Sequence, residues 1–205
     1  MEQRYYIFDW DGVFADSFTA SVQANFNMGT RESIEDAAQH VIKYSSNPHT
    51  HLRTSSREQI ITADRWTERY ASFLIYEEIP LFQEFIDEVT KIPNAQFAIV
   101  SSGPGIVIRK LLRQVDIDFT HVLAYEDHHS KEEKVEHICR DWGIDVGNAY
   151  YFTDTITDVL ELQSIMDTSK IIGCAWGYLG YDALRTVLPD HQILKTFTDI
   201  HTIHG

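Results

Sequence analysis

The sequence predicts an α/β fold: a parallel sheet with helices on both faces and an all-helical unit inserted after the first strand. Three observations carry this expectation. Short apolar runs alternate with helix-period segments along most of the 205 residues, the pattern of β-α-β units. From Ser17 to Glu78 the alternation stops, and apolar residues recur only at helical spacing. Several apolar runs also end in acidic or hydroxyl residues, which places those groups at the C-terminal edge of the sheet, where α/β folds put their sites.

The first strand is Tyr5-Tyr6-Ile7-Phe8, closed at once by Asp9, a residue that strands disfavour. After Ser17, Phe18, Val22 and Phe26 recur at helical spacing, and Gly29 is a stop. A second helix covers Arg31 to about Tyr44, with Ile34, Ala37, Ala38, Val41 and Ile42 on one side. Ser45 to His51 is a polar loop containing Pro48. A third helix starts near Ser56, with Glu58 and Gln59 close behind, and runs towards Tyr76. Residues 17–78 are therefore expected to form a small helical cap, and residues 1–16 and 79–205 the core.

The core resumes at Ile79. Phe82, Phe85, Ile86 and Val89 line a helix that stops near Pro93, and Phe97-Ala98-Ile99-Val100 is the next buried strand. A helix with Ile106, Val107, Leu111, Leu112 and Val115 follows, then a short strand at Val122-Leu123-Ala124. A further helix begins at about Lys131, with Val135, Ile138, Cys139 and Trp142 on one face and Gly143 at its end. Tyr150-Tyr151-Phe152 and Ile171 to Trp176 are strands separated by a helix with Val159, Leu162 and Ile165. A last short strand lies near Gln192-Ile193-Leu194. The order of these elements is that of a Rossmann-like core.

Bulk composition narrows the function. A net charge of −14 argues against nucleic acid or an anionic membrane as partner. An anionic substrate would thus need local positive charge from a metal, lysine or backbone N–H groups. Met1-Glu2-Gln3-Arg4 lacks the basic-then-apolar pattern of a secretory signal, and Cys139 and Cys174 have no metal-type spacing. Both features lead us to expect a cytoplasmic protein with reduced cysteines.

The chemistry is concentrated at the strand ends. The first strand delivers Asp9, then Asp11 and Gly12. One carboxylate can attack an electrophile and the other can move a proton. A metal ion between them and a phosphate would let both work without repulsion. Ser101 and Ser102 follow Val100 just before a helix, where hydroxyl and free N–H groups can hold a phosphate oxygen. Lys131 and Lys134 stand at the start of a later helix, and Asp154 and Asp158 close the Tyr150 strand.

Asp9-x-Asp11-Gly12-Val13 with Asp16-Ser17 resembles the first motif of the haloacid dehalogenase superfamily, in its phosphatase-like branch. Ser101, a lysine, and Asp154-Thr155-Ile156-Thr157-Asp158 match the later motifs in order, and Ile172 to Tyr178 resembles the late strand of phosphoglycolate-phosphatase-like members. The resemblance implies a Mg²⁺-dependent phosphatase acting on a small phosphorylated metabolite. It makes Asp9 the nucleophile and Asp11 the acid–base group. Ser101 and the lysine hold phosphoryl oxygens, and Asp9, Asp11 and Asp154 hold the metal, with Asp158 touching it through water or holding Asp154.

We take Lys134 as that lysine, because it directly precedes the Val-x-x-Ile-Cys-x-x-Trp-Gly segment, and Lys131 as a solvated charge. One departure stands out: Thr153 occupies the place where the family usually has glycine, and a β-branched residue disfavours positive φ. A sugar phosphomutase on the same core, and a non-catalytic protein that kept the fold, remain as alternatives.

Overall fold

The computed structural model describes residues 3–46, 57–128 and 130–203, with side chains of residues 57–64 outside the description. Most of the expected polar loop, Ser56 and His129 lie outside the described residues. Among the described residues a six-stranded sheet has the order β3-β2-β1-β4-β5-β6, with every neighbouring pair parallel. The strands are β1 (Arg4–Phe8), β2 (Ala95–Val100), β3 (Phe119–Leu123), β4 (Tyr150–Thr153), β5 (Ile171–Cys174) and β6 (Ile193–Leu194).

Three helices separate β1 from the next core elements: α1 (Phe18–Asn27), α2 (Ile34–Ser46) and α3 (Arg57–Leu74). The rest are α4 (Gln83–Thr90), α5 (Gly105–Leu112), α6 (Lys131–Trp142), α7 (Ile156–Leu162) and α8 (Gly180–Leu184).

The two-residue period of β1 divides the core. Tyr6 and Phe8 face one side, with Phe85, Ile99, Val107, Ile108 and Phe152. Ile7 faces the other, with Val135, Ile138, Tyr151, Val159, Leu162 and Leu184. Helices α4 and α5 thus cover one face, and α6, α7 and α8 the other. Both faces of the central strands are buried, which is why these strands read as continuous apolar runs rather than alternating ones. Phe8 stacks on Phe152 at 4.7 Å between ring centroids and meets Phe14 edge-on at 5.1 Å, tying the turn after β1 to its own sheet.

The helical segment is not sealed off from this core. Ala20, Ala24 and Leu74 belong to the Tyr6 side, while Val22, Ala37 and Val41 form a small cluster of their own with Phe18, Phe26 and Tyr178. Helix α1 therefore has two apolar contacts, one with the cluster that holds Leu74 of α3 and one with α2. No helix among the described residues is long and apolar enough to cross a membrane.

Several strand boundaries differ from expectation by one to three residues, those of β3 and β5 among them. β3 begins at Phe119, three residues early, because as an edge strand it tolerates Thr120 and His121 on its wet side. β5 stops at Cys174, where the Gly177 N–H turns back to the Cys174 carbonyl at 3.3 Å.

Candidate active site

Register brings the functional strand ends together. Phe8 pairs with Ile99 on one side and with Phe152 on the other. One residue beyond Phe8, and two beyond Ile99 and Phe152, β1, β2 and β4 release Asp9, Ser101 and Asp154 at the same edge of the sheet. The Asp9 N–H still donates to the Phe152 carbonyl at 2.8 Å, so Asp9 is held as the last step of the strand.

The turn that follows β1 is tight. Phe14 and Ala15 both donate backbone N–H groups to the Trp10 carbonyl, at 3.0 and 3.1 Å. Gly12 sits at φ +72°, and a Cβ there would lie 1.8 Å from Asp154 Oδ2. Glycine is thus required twice over, by conformation and by the approach of the acid. A Cβ on Gly177 would lie 2.2 Å from the Asp154 Cβ. Two glycines press against one carboxylate.

Asp9 is buried, and its Oδ1 accepts from the Trp10 N–H at 2.7 Å. Asp11 Oδ1 accepts from the Ser17 hydroxyl at 2.5 Å. Ser17 has one proton, given to that carboxylate, so it accepts from the Tyr178 hydroxyl at 2.7 Å. Tyr178 also meets the Ser21 hydroxyl at 3.1 Å, which links Asp11 to helix α1. Ser101 is fully buried, its hydroxyl accepts from the Gly103 N–H at 2.8 Å, and it hydrogen-bonds Asp11.

The lysines exchange places relative to expectation. Ser130 caps α6, its hydroxyl accepting from the Glu133 N–H at 3.3 Å, so Lys131 is the first helical residue. From there its Nζ reaches Asp9 Oδ2 at 2.7 Å and Asp158 Oδ2 at 2.5 Å. Lys131 is only 2 % exposed and is no solvated charge. Lys134, one turn further in, donates instead to the Ser101 carbonyl at 2.6 Å. The helix starts at Lys131, as expected; the reading differs only in which of its two lysines meets Asp9.

Asp158 also differs from expectation. Its Oδ2 accepts from Lys131, from Thr153 Oγ1 at 2.8 Å and from the Tyr151 hydroxyl at 3.3 Å. It orients the lysine rather than Asp154. Thr153 ends β4 in extended conformation, and Asn94 is the one non-glycine with positive φ among the described residues. The β-branched side chain suits that position, and its hydroxyl supplies a hydrogen bond that glycine would lack. Thr153→Val is therefore expected to lower stability by about 1–3 kcal/mol through loss of a donor to a buried carboxylate. Urea denaturation checks this, and an unchanged midpoint would contradict it.

Four carboxylates (Asp9, Asp11, Asp154 and Asp158) and two ammonium groups (Lys131 and Lys134) share this small region. Burial pushes Asp9 well above the ordinary carboxylate range, against the pull of Lys131 and with Asp158 and Asp154 adding to it. Burial also raises Asp11, opposed by its hydrogen bonds to Ser17 and Ser101 and by Lys131. Burial acts upward on Asp158 too, but Lys131 and Thr153 hold it at about 2. Burial alone would lower Lys131, yet the Asp158 and Asp9 charges raise it, so it stays an ammonium.

Asp154 is the acid left wanting. Its Oδ2 accepts from the Tyr178 N–H at 2.7 Å, while its buried Oδ1 has no hydrogen-bond partner. Burial pushes its carboxyl from 3.8 up to about 7. An orphaned carboxylate oxygen amid excess negative charge fits a hard divalent cation bound by oxygen.

A pH dependence follows. With chelator present, the folded chain holds the Asp154 proton more tightly than the unfolded chain does. Stability is then intact below about pH 4 and is lost as pH rises through about 7. Asp154→Asn escapes this cost, so at pH 8 it should exceed wild type by on the order of 2–4 kcal/mol, a gain that shrinks towards pH 4. Urea denaturation at both pH values measures it; a pH-independent difference would contradict the expectation.

The comparisons agree with this architecture. Residues 6–164 match the family model for haloacid dehalogenase-like hydrolases, well over half of the chain. The chain belongs to that family. Among solved structures, a hydrolase from Pseudomonas syringae is similar with TM-score 0.71 and 17% identity, covering 98% of this chain and 97% of that one. A "predicted phosphatase" from Clostridium acetobutylicum is similar with TM-score 0.69 and 15% identity, covering 98% of each chain. A "predicted phosphoglycolate phosphatase" from Haemophilus somnus is similar with TM-score 0.65 and 14% identity, also covering 98% of each. At such identities the likeness is one of fold. None of the curated proteins compared with the chain matches it in sequence.

Proposed function

We propose that the chain is a phosphatase of small phosphorylated metabolites that works through an aspartyl-phosphate on Asp9. The observation that carries this reading is the buried contact of Lys131 Nζ with Asp9 Oδ2 at 2.7 Å, at a sheet edge shared with Asp11 and Ser101. Lys131 is anchored from behind by Asp158, which leaves its ammonium aimed at the carboxylate.

Asp9 attacks phosphorus, and the bond from phosphorus to the leaving oxygen breaks. Asp11, whose carboxyl burial shifts upward, gives its proton to that oxygen. It then takes a proton from the water that hydrolyses the aspartyl-phosphate, returning Asp9 as carboxylate. Lys131 and the Ser101 hydroxyl balance charge on the phosphoryl oxygens. Asp9, Asp154 and the Asp11 main-chain carbonyl would hold Mg²⁺. When bound, that ion supplies charge neutralisation and Lewis-acid polarisation of the phosphate.

Helices α1 to α3 act as a cap in this reading. Ser17 and Tyr178 close over Asp11, which suits a small substrate shielded from bulk water and disfavours a folded phosphoprotein. A panel of phosphorylated metabolites, assayed for phosphate release with and without Mg²⁺, tests the proposal. Release from at least one small ester, strengthened by Mg²⁺, is the expected result. No release from any of them under either condition would overturn it.

A further inference from the structure

We propose a second metal site, remote from the phosphatase centre, in which His121, His137 and Asp141 bind a divalent transition-metal ion of the Zn²⁺ type. His121 comes from edge strand β3, and His137 and Asp141 from one face of α6, four residues apart. Asp141 is ten residues beyond Lys131 on the same helix, about 15 Å along its axis. The two sites therefore share a helix but no ligand.

The donor atoms are already near ligand spacing. Asp141 Oδ2 lies 3.2 Å from His121 Nε2 and 3.6 Å from His137 Nε2. For metal–ligand bonds of about 2.0–2.2 Å, the edge of a tetrahedron is about 3.3–3.6 Å. The two imidazoles stand at 90° to each other, so their lone pairs converge from different directions. His137 and Asp141 are exposed, which leaves the fourth position to water.

The surroundings of His121 prepare it as a ligand. Thr120 Oγ1 donates its one proton to the Phe97 carbonyl at 3.2 Å and accepts from the Trp142 indole N–H at 2.9 Å. Its contact with His121 Nδ1 at 3.0 Å is then one in which the ring donates. With a proton on Nδ1, His121 turns its Nε2 towards the Asp141 carboxylate at 3.2 Å, where the two are placed to share a bound cation. A metal-bound histidine with its other nitrogen so engaged is the usual arrangement. The C-terminal end of α6 adds a favourable dipole for a cation. Imidazole nitrogens with one carboxylate favour Zn²⁺ or Co²⁺ over Mg²⁺, so the ion proposed here is chemically distinct from that of the phosphatase site.

The test is a Co²⁺ titration of the purified full-length chain in excess Mg²⁺, which occupies oxygen-only sites. One Co²⁺ per chain is expected to give the strong visible bands of four-coordinate cobalt, and an equivalent of Zn²⁺ should bleach them. Asp154→Asn should leave the bands unchanged. His137→Ala, at an exposed helical position that alanine suits, should weaken binding at least about a hundredfold, and Thr120→Val about ten- to a hundredfold. Zn²⁺ should also raise the thermal midpoint of wild type and not of His137→Ala. Absence of the bands, their persistence in His137→Ala, or their loss in Asp154→Asn would each overturn the proposal.

Discussion

Asp9→Asn is expected to cut phosphate release by at least about a thousandfold, the scale of loss when a group acting in the covalent step is removed. An amide oxygen is a poor nucleophile, and it is a weaker metal ligand than a carboxylate. The same change removes an acid that burial penalises, so the variant should fold at least as well as wild type. Circular dichroism and urea denaturation separate the two effects. Residual release above about one per cent in a folded variant would count against Asp9 as nucleophile.

The second large effect distinguishes the lysines. Lys131→Met should lower turnover by about 10²–10³-fold, because it removes the charge between Asp9, Asp158 and the phosphoryl group. Lys134→Met should keep turnover within about tenfold, or roughly 1.4 kcal/mol of barrier. Its cost should fall on stability instead, about 1–3 kcal/mol, since the buried Ser101 carbonyl loses that donor. Lys131→Arg retains the charge and controls for folding. If Lys134→Met proves the damaging change for turnover while Lys131→Met is mild, the geometric assignment is wrong.

The lysines also show how far the sequence could be read. Asp9, Ser101 and Asp154 were visible because each stands at or just past the end of an apolar run, with Asp11 two residues beyond Asp9, and parallel strands place such ends at one sheet edge. The α/β core and the helical segment after β1 were visible for the same reason of period. A side chain's partner across the fold is not written in period. Lys131 and Lys134 are three residues apart on one helix, so both point roughly the same way. The helix start at Lys131 was legible, but the way α6 packs across the fold, which sets which ammonium reaches Asp9, was not.

Thr153 is the converse case. Its departure from the usual glycine was plain, but its consequence depends on φ and on the distance to Asp158. The Tyr178 hydroxyl reaches Ser17 across 161 residues of chain and its N–H reaches Asp154 across 24, and the resemblance of Ile172 to Tyr178 names neither partner. The His121 cluster escaped for the same reason, since strand and helix each contribute only part of it.

The covalent intermediate is the central claim, and Asp11→Asn exposes it. That change keeps the main-chain carbonyl but removes the acid–base carboxyl. With a nitrophenyl phosphate, whose leaving group hardly needs a proton, the first step should survive and the second should slow. Rapid mixing with Mg²⁺ and acid quenching, followed by peptide mass spectrometry, measures the result directly. Our account predicts a burst of about one nitrophenolate per chain and a phosphoryl group on the peptide carrying Asp9. No burst and no phosphorylated Asp9 peptide, with turnover lost equally on nitrophenyl and alkyl esters, would contradict it.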